Sequence, residues 1–157
     1  MTNDATATTL PADDRPATAG VPHLGFFLGS ELYAVPLTRL REVERFTRLR
    51  RIPGAAAHVA GLVNLRGEII CALDTHAILG LTRGGDPDDG FLIALRDFDF
   101  PVGLVVDSIA DVFTIDPETV LQPPDAWPLE RAALVTGICV VAVGSMGLLD
   151  LDRVVYR

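Results

Sequence analysis

The sequence predicts a mainly β protein made of two similar lobes, and three observations carry that reading. The stretch at residues 61–74, Gly-Leu-Val-Asn-Leu-Arg-Gly-Glu-Ile-Ile-Cys-Ala-Leu-Asp, returns at residues 137–150 as Gly-Ile-Cys-Val-Val-Ala-Val-Gly-Ser-Met-Gly-Leu-Leu-Asp. A Gly, an apolar strand, a turn, a second apolar strand and a closing Asp keep one spacing in both copies. The upstream parts recur as well: paired strands at 26–28 with 32–37 and at 91–95 with 100–106, then a helix-like segment (38–45; 108–112) and a Pro-containing loop (52–53; 123–124). Apolar runs such as 137–143 are short, as expected of buried strands. Two copies do not make a solenoid, which needs at least three shorter repeats.

Each element has its own local reason. Residues 1–22 are rich in Thr, Ala, Asp and Pro with little apolar periodicity, so they are expected to be a disordered leader ahead of one folded unit at 23–157. Leu24, Phe26 and Leu28 alternate, and Gly29-Ser30 offers a two-residue hairpin turn, a device that Gly144-Ser145 is expected to repeat. Behind Pro36, the residues Leu37, Leu40 and Val43 recur at roughly helical spacing. That predicts a short helix at 38–45 with Arg39, Arg41, Glu42 and Glu44 turned outward. Asp74 and Asp150 each precede a short apolar segment and read as helix N-caps, with Gly80 closing the first helix. Residues 123–128, Pro-Pro-Asp-Ala-Trp-Pro, form a connector that Trp127 is expected to pin to a lobe.

Composition bounds the class. At 157 residues and 49% hydrophobic content, the chain can bury roughly 68–70% of its unfolded surface without metal or disulfide staples. Mean hydropathy is +0.35, yet no apolar run approaches the roughly 18 residues of a spanning helix. No basic region precedes an apolar run at the N-terminus, so a cytoplasmic protein is expected, with no membrane insertion. The two cysteines, Cys71 and Cys139, sit inside apolar strands and read as small buried hydrophobes.

The net charge of −8 is unevenly spread, because residues 39–51 hold six Arg against Glu42 and Glu44. The acidic remainder disfavours nucleic acid, which calls for a broad cationic surface. An acidic protein partner fits a basic segment on an acidic body. The competing reading is a solvated face and strand edge guarded by Arg in a chain that contains no Lys.

The two copies differ where function is expected. The second has Val140-Val-Ala-Val143 where the first has Asn64-Leu-Arg-Gly67, so the scaffold itself does not require an Asn or an Arg there. Enzymatic alternatives are thin. Cys71, Asp74 and His76 could serve as nucleophile, orienter and base, but no oxyanion element or phosphate loop accompanies them. His23, His58 and His76 lack the close pairing of a zinc site, and no cofactor motif is visible.

Taken in order, Phe27-Leu-Gly-Ser-Glu-Leu-Tyr-Ala-Val-Pro36, Leu40-Arg-Glu-Val43, Ile52-Pro53, Gly61-Leu-Val-Asn-Leu-Arg-Gly67 and Val105-Val-Asp107 resemble the CheW chemotaxis coupling proteins over residues 24–157. The resemblance implies two interlocked SH3-like five-stranded β-barrels with a few short helices. It also implies a non-catalytic adaptor that links chemoreceptor signalling tips to the regulatory domain of a CheA-type histidine kinase, recruited to membrane-associated receptor arrays and using no cofactor. A receptor helix is expected in the groove between the barrels, with Leu40, Glu42, Val43, Gly61, Asn64, Leu65, Arg66 and Gly67 as the partner-binding set. Departures from the family's usual pattern fall at Ala56, Cys71 and His76. The runner-up is a CheW-like paralogue serving a surface-motility or second-messenger array, followed by a small enzyme using Cys71 and His76.

Overall fold

A computed structural model describes residues 20–46, 48–84 and 89–156. Ten strands run in chain order: Val21–Leu28 (β1), Glu31–Pro36 (β2), Leu40–Phe46 (β3), Val59–Leu65 (β4), Glu68–Asp74 (β5), Gly90–Leu95 (β6), Val102–Val106 (β7), Ser108–Ile115 (β8), Val135–Val141 (β9) and Gly144–Leu149 (β10). Short helices span Thr75–Leu79 (α1), Leu129–Ala132 (α2) and Leu151–Val155 (α3). The folded unit therefore starts two residues before the expected boundary at 23. The rest of the expected leader, residues 1–19, lies outside the described residues.

The strands form two five-stranded sheets, ordered β8-β1-β2-β10-β9 and β3-β6-β7-β5-β4. Replacing each strand of the first half by its counterpart in the second converts one order into the other. The lobes are nevertheless not the two halves of the sequence. β1 and β2 leave their own half to pair with β8 and β10 respectively, while β6 and β7 pair with β3 and β5. Exchanged pairs of this kind interlock the halves.

Alternation sorts the apolar side chains into three clusters. Tyr33 and Val35 of β2 join Ile93 and Leu95 of β6, with α1 and α3, in a core between the sheets. Leu92 and Ala94 point the other way, into a cluster with Phe46, Val63, Leu65 and Ile70. Leu32 and Ala34 do likewise with Cys139, Met146 and Leu148. Central strands such as β7 are thus buried along their whole length, which is why they read as continuous apolar runs.

Two expected helices are strands. Residues 38–45 open with a 3-10 turn at Leu37–Arg39 and then run into β3. A bulge between Leu40 and Glu42 sets Leu40 opposite Leu95 and Val43 opposite Ile93, so residues three apart share a face. That spacing imitates a helix. In the second half, β8 has the same device: Ile109 opposes Phe26 and Val112 opposes Leu24. The second hairpin turn also falls two residues earlier than expected, at residues 142–143, with Gly144 already in β10. Gly29-Ser30 forms its turn as expected.

The repeated glycines have a common steric cause. Arg50 and Leu62 exchange two backbone hydrogen bonds (2.9 and 2.8 Å), joining the chain after β3 to β4 at the opposite edge of the sheet. Leu121 and Ile138 do the same in the other sheet, at 2.8 Å each. A Cβ on Gly61 would sit 2.6 Å from the Arg50 carbonyl oxygen, and one on Gly137 2.7 Å from that of Leu121.

Candidate functional site

The distinctive Asn64-Leu-Arg-Gly67 element is the β4–β5 hairpin. Arg66 (φ 51°) and Gly67 (φ 89°) form the two-residue loop with both residues left-handed, as a tight turn between twisted strands requires. Asn64 fixes it, its Oδ1 accepting the Gly67 N–H at 2.9 Å. This conformation projects the Arg66 side chain across the open edge of the sheet toward β3. There its guanidinium pairs with Glu42 and, at 2.9 Å, with Glu44. Arg41 continues the network, to Glu42 at 3.5 Å and to Glu68 of β5.

The structure divides the expected partner-binding set into three groups. Glu42, Asn64, Arg66 and Gly67 gather at the hairpin tip, with Arg66 65% exposed even though paired. Leu40 and Val43 lie on the other face of β3, half-buried against the core between the sheets. Leu65 and Gly61 are buried, the first in the cluster inside the sheet and the second beneath Arg50. Sequence reasoning missed the groove beside the tip, where Phe46, Leu62 and the exposed Ile69 form an apolar floor and Arg45, Arg48 and Arg50 a basic rim. Its signal was present in the Arg-rich segment 39–51, read as a surface for an acidic partner or as a solvated face and strand edge, and not as the rim of a groove.

At least half of the six Arg in the basic segment are ion-paired within the chain. Arg39 pairs with Asp152 (3.3 Å) and stacks on Phe98, Arg41 pairs with Glu68, and Arg45 pairs with Asp89 (2.9 Å). On the groove rim Arg45 is thus already paired, and Arg48 and Arg50 stand beside it.

The pseudo-equivalent hairpin, β9–β10, has another character. Val140 and Val143 are 69% and 66% exposed, and Leu121 stands beside them in place of Arg50. The two ends of the molecule thus share a backbone plan and differ in chemistry.

Neither imidazole nitrogen of His76 is hydrogen-bonded to Cys71, since Nε2 meets Asp107 and Nδ1 has no partner. Burial pushes both the Cys71 and Cys139 thiols up, away from the reactive thiolate. His76 is fully enclosed, with Nε2 3.1 Å from Asp107 Oδ2. Asp74 caps α1 by accepting the Ala77 N–H at 3.1 Å, and Asp150 caps α3 through Arg153 N–H, as expected. Gly80 ends α1 in the left-handed conformation at φ 72°. Trp127 pins its connector by packing on Tyr33 and carrying the Arg131 guanidinium 4.1 Å above its ring. No helix among the described residues is long and apolar enough to cross a membrane.

Comparison with known proteins assigns this architecture. The profile of the CheW-like domain matches residues 22–157. The chain belongs to the CheW-like domain family. The chemotaxis protein CheW of Treponema pallidum (strain Nichols) is 34% identical over 131 residues, covering 81% of this chain and 76% of that one. A chemotaxis protein CheA of Borreliella burgdorferi is 27% identical over 127 residues, 80% of this chain and 14% of its own length. The same fold is seen in the crystal structure of the scaffolding protein TtCheW from Thermoanaerobacter tengcongensis, with a TM-score of 0.76, 24% identity and 93% of each chain covered. The mainly β, two-sheet CheW-like architecture agrees with the fold expected from the sequence, and its interlocking is the strand exchange described above.

Proposed function

We propose that this CheW-like chain is a non-catalytic coupling adaptor, which holds chemoreceptor signalling tips and a CheA-type histidine kinase together on the cytoplasmic side of a receptor array. The observation that carries the reading is the chemical asymmetry of two hairpins built on one plan. One presents Asn64, Arg66 and Gly67 with the carboxylates of Glu42 and Glu44; the other presents Val140 and Val143. A fold that needs neither set at both ends keeps each for something outside itself.

Glu42, Asn64, Arg66 and Gly67 form the direct contact surface for a receptor helix, with Leu40 and Val43 supplying apolar support from the adjoining strand. Buried Leu65 and Gly61 hold the hairpin in shape. The kinase is read as engaging the protein through a CheW-like domain of its own, a reading supported by the stretch of similarity to a CheA protein. Adaptor chemistry of this kind needs no cofactor, and raised thiol pKa values support the absence of a cysteine-based reaction.

Co-sedimentation tests the proposal. Mixed with a receptor cytoplasmic fragment and the kinase regulatory domain, the protein is expected to bind each alone and to bring both into one complex. Binding to neither overturns the reading, and binding to only one reduces the protein from coupler to accessory subunit.

A further inference from the structure

The sheet β3-β6-β7-β5-β4 curls until its two end strands face each other across the groove beside the hairpin tip, which residues 44–46 of β3 and 62–65 of β4 both line. No ladder joins these two strands, since β3 pairs with β6 and β4 with β5. The seam is closed at one end by the Arg50–Leu62 backbone bridge and at the other by Arg66 reaching Glu42 and Glu44. Between those closures lies a space of about 660 Å³, within the roughly 300–1,000 Å³ typical of ligand sites. Consecutive residues of a strand point to opposite faces. Four in a row along β4 border this space, so what it meets is the backbone edge of the strand and not one of its faces.

That edge has hydrogen-bonding groups to offer. Leu62 turns its N–H and C=O outward to Arg50, so by the two-residue alternation of the ladder Asn64 turns its own to the same side. β4 meets no strand there, and the Asn64 side chain is engaged in the turn through the Gly67 N–H. Flanking side chains set the chemistry. Ile69 is 51% exposed beside Phe46 and Leu62. Three arginines line the space against one glutamate. Glu44 is paired with Arg66 and Arg45 with Asp89, whereas Arg48 and Arg50 have no ion pair among the described residues.

From these positions we propose that the β3–β4 seam is a strand-addition site, which takes a short, extended, acidic segment of a partner protein. Main-chain bonds to an exposed sheet edge give such contacts their affinity, and alternate side chains give their specificity. The four residues 62–65 span about 13 Å at roughly 3.3 Å per residue, which matches about four residues of the incoming segment. Its aliphatic side chains meet Phe46 and Val63 on the inner face, and its carboxylates meet Arg48 and Arg50 on the rim. A helix spends its backbone groups internally and has no use for the Asn64 edge. The other lobe does not duplicate the site, because Leu121 stands there in place of Arg50. The site does not depend on the adaptor reading.

The test selects a displayed library of random ten-residue peptides on the full-length protein and titrates a recovered peptide onto nitrogen-15-labelled protein. Recovered sequences are expected to alternate Asp or Glu with Val, Ile or Leu, and the bound peptide to slow amide exchange at Asn64. Methylating every second backbone nitrogen of the peptide is expected to abolish binding in one phase of the alternation and spare it in the other. Arg48→Glu combined with Arg50→Glu is expected to weaken binding roughly tenfold or more, as loss of charge-assisted bonds does. Arg48→Gln with Arg50→Gln serves if the reversed protein does not fold. Several results overturn the proposal: no peptide recovered, recovered peptides with apolar residues at helical spacing, or binding indifferent to backbone methylation or to charge reversal. Self-association that shields the Asn64 amide overturns it too, since the occupant is then a second copy of the chain.

Discussion

Arg66, at the tip of the β4–β5 hairpin, is ion-paired with Glu42 in β3, so a side chain from one end of the five-stranded sheet is tied to the strand at its other end. The pair gives the hairpin tip a fixed pose while leaving the Arg66 side chain about two-thirds exposed. A side chain held in place before binding loses less freedom on binding.

Replacing Gly61 or Gly137 by Ala is expected to destabilise the fold by about 1–3 kcal/mol, the usual result of forcing a methyl group into a packed site. Each Cβ meets a backbone carbonyl that is itself hydrogen-bonded across the sheet edges, at Arg50 or Leu121. Urea melts of both variants check this. Gly29→Ala, where nothing lies within 4 Å of an added Cβ, isolates the effect of a left-handed backbone from that of crowding.

Asp74→Ala and Asp150→Ala should each lose about 1 kcal/mol through the missing N-cap. Asp74→Ala should lose somewhat more, since Arg83 is left without its partner. Neither change should weaken partner binding, because both caps lie away from the hairpin tip. Denaturant melts paired with binding titrations separate the two effects.

How far the fold could be read from the chain depended on which physical signals were local. The repeat at Gly61 and Gly137, the capping Asp residues and the Gly29-Ser30 turn each rest on a few neighbouring residues, and all three were legible. β3 was not. Its bulge places Leu40 and Val43 on one face at helical spacing, and only pairing with β6, some fifty residues away, reveals the extra residue. The exchange of β1 and β2 for β6 and β7 was equally hidden, since an internal repeat records what the halves contain and not how they are shared. At the site, Arg66 stood out because its counterpart is Ala142. Its pairing with Glu42 and Glu44 could not be seen while those residues were assigned to a helix.

Native protein should react slowly with an aromatic disulfide reagent at neutral pH, because burial pushes the Cys71 and Cys139 thiols up. Both should react at once in denaturant. Fast stoichiometric labelling of folded protein would revive an enzymatic role for Cys71.

Alkaline stability should report Tyr33. Burial, aided by Glu31 and opposed by Arg131, raises its phenol from 10.0 to about 12. The unfolded chain then ionises first, so the folded state keeps this contribution below pH 10.0 and loses it as pH rises toward about 12. In Tyr33→Phe the fall in stability over that window should be shallower, as followed by thermal melts.

The central claim, that the Arg66 hairpin tip is a recognition surface and not a structural necessity, is tested most directly by titrating a receptor-tip fragment onto wild type, Arg66→Ala and Ala142→Ser. Exposed ion pairs contribute roughly 0.2–1 kcal/mol, so Arg66→Ala should stay folded with at most about 1 kcal/mol lost. Its binding should weaken by roughly 10- to 150-fold, the effect of losing charge-assisted hydrogen bonds, while Ala142→Ser at the equivalent place in the other sheet binds as wild type. An Arg66→Ala protein that binds normally, or that unfolds, contradicts the account.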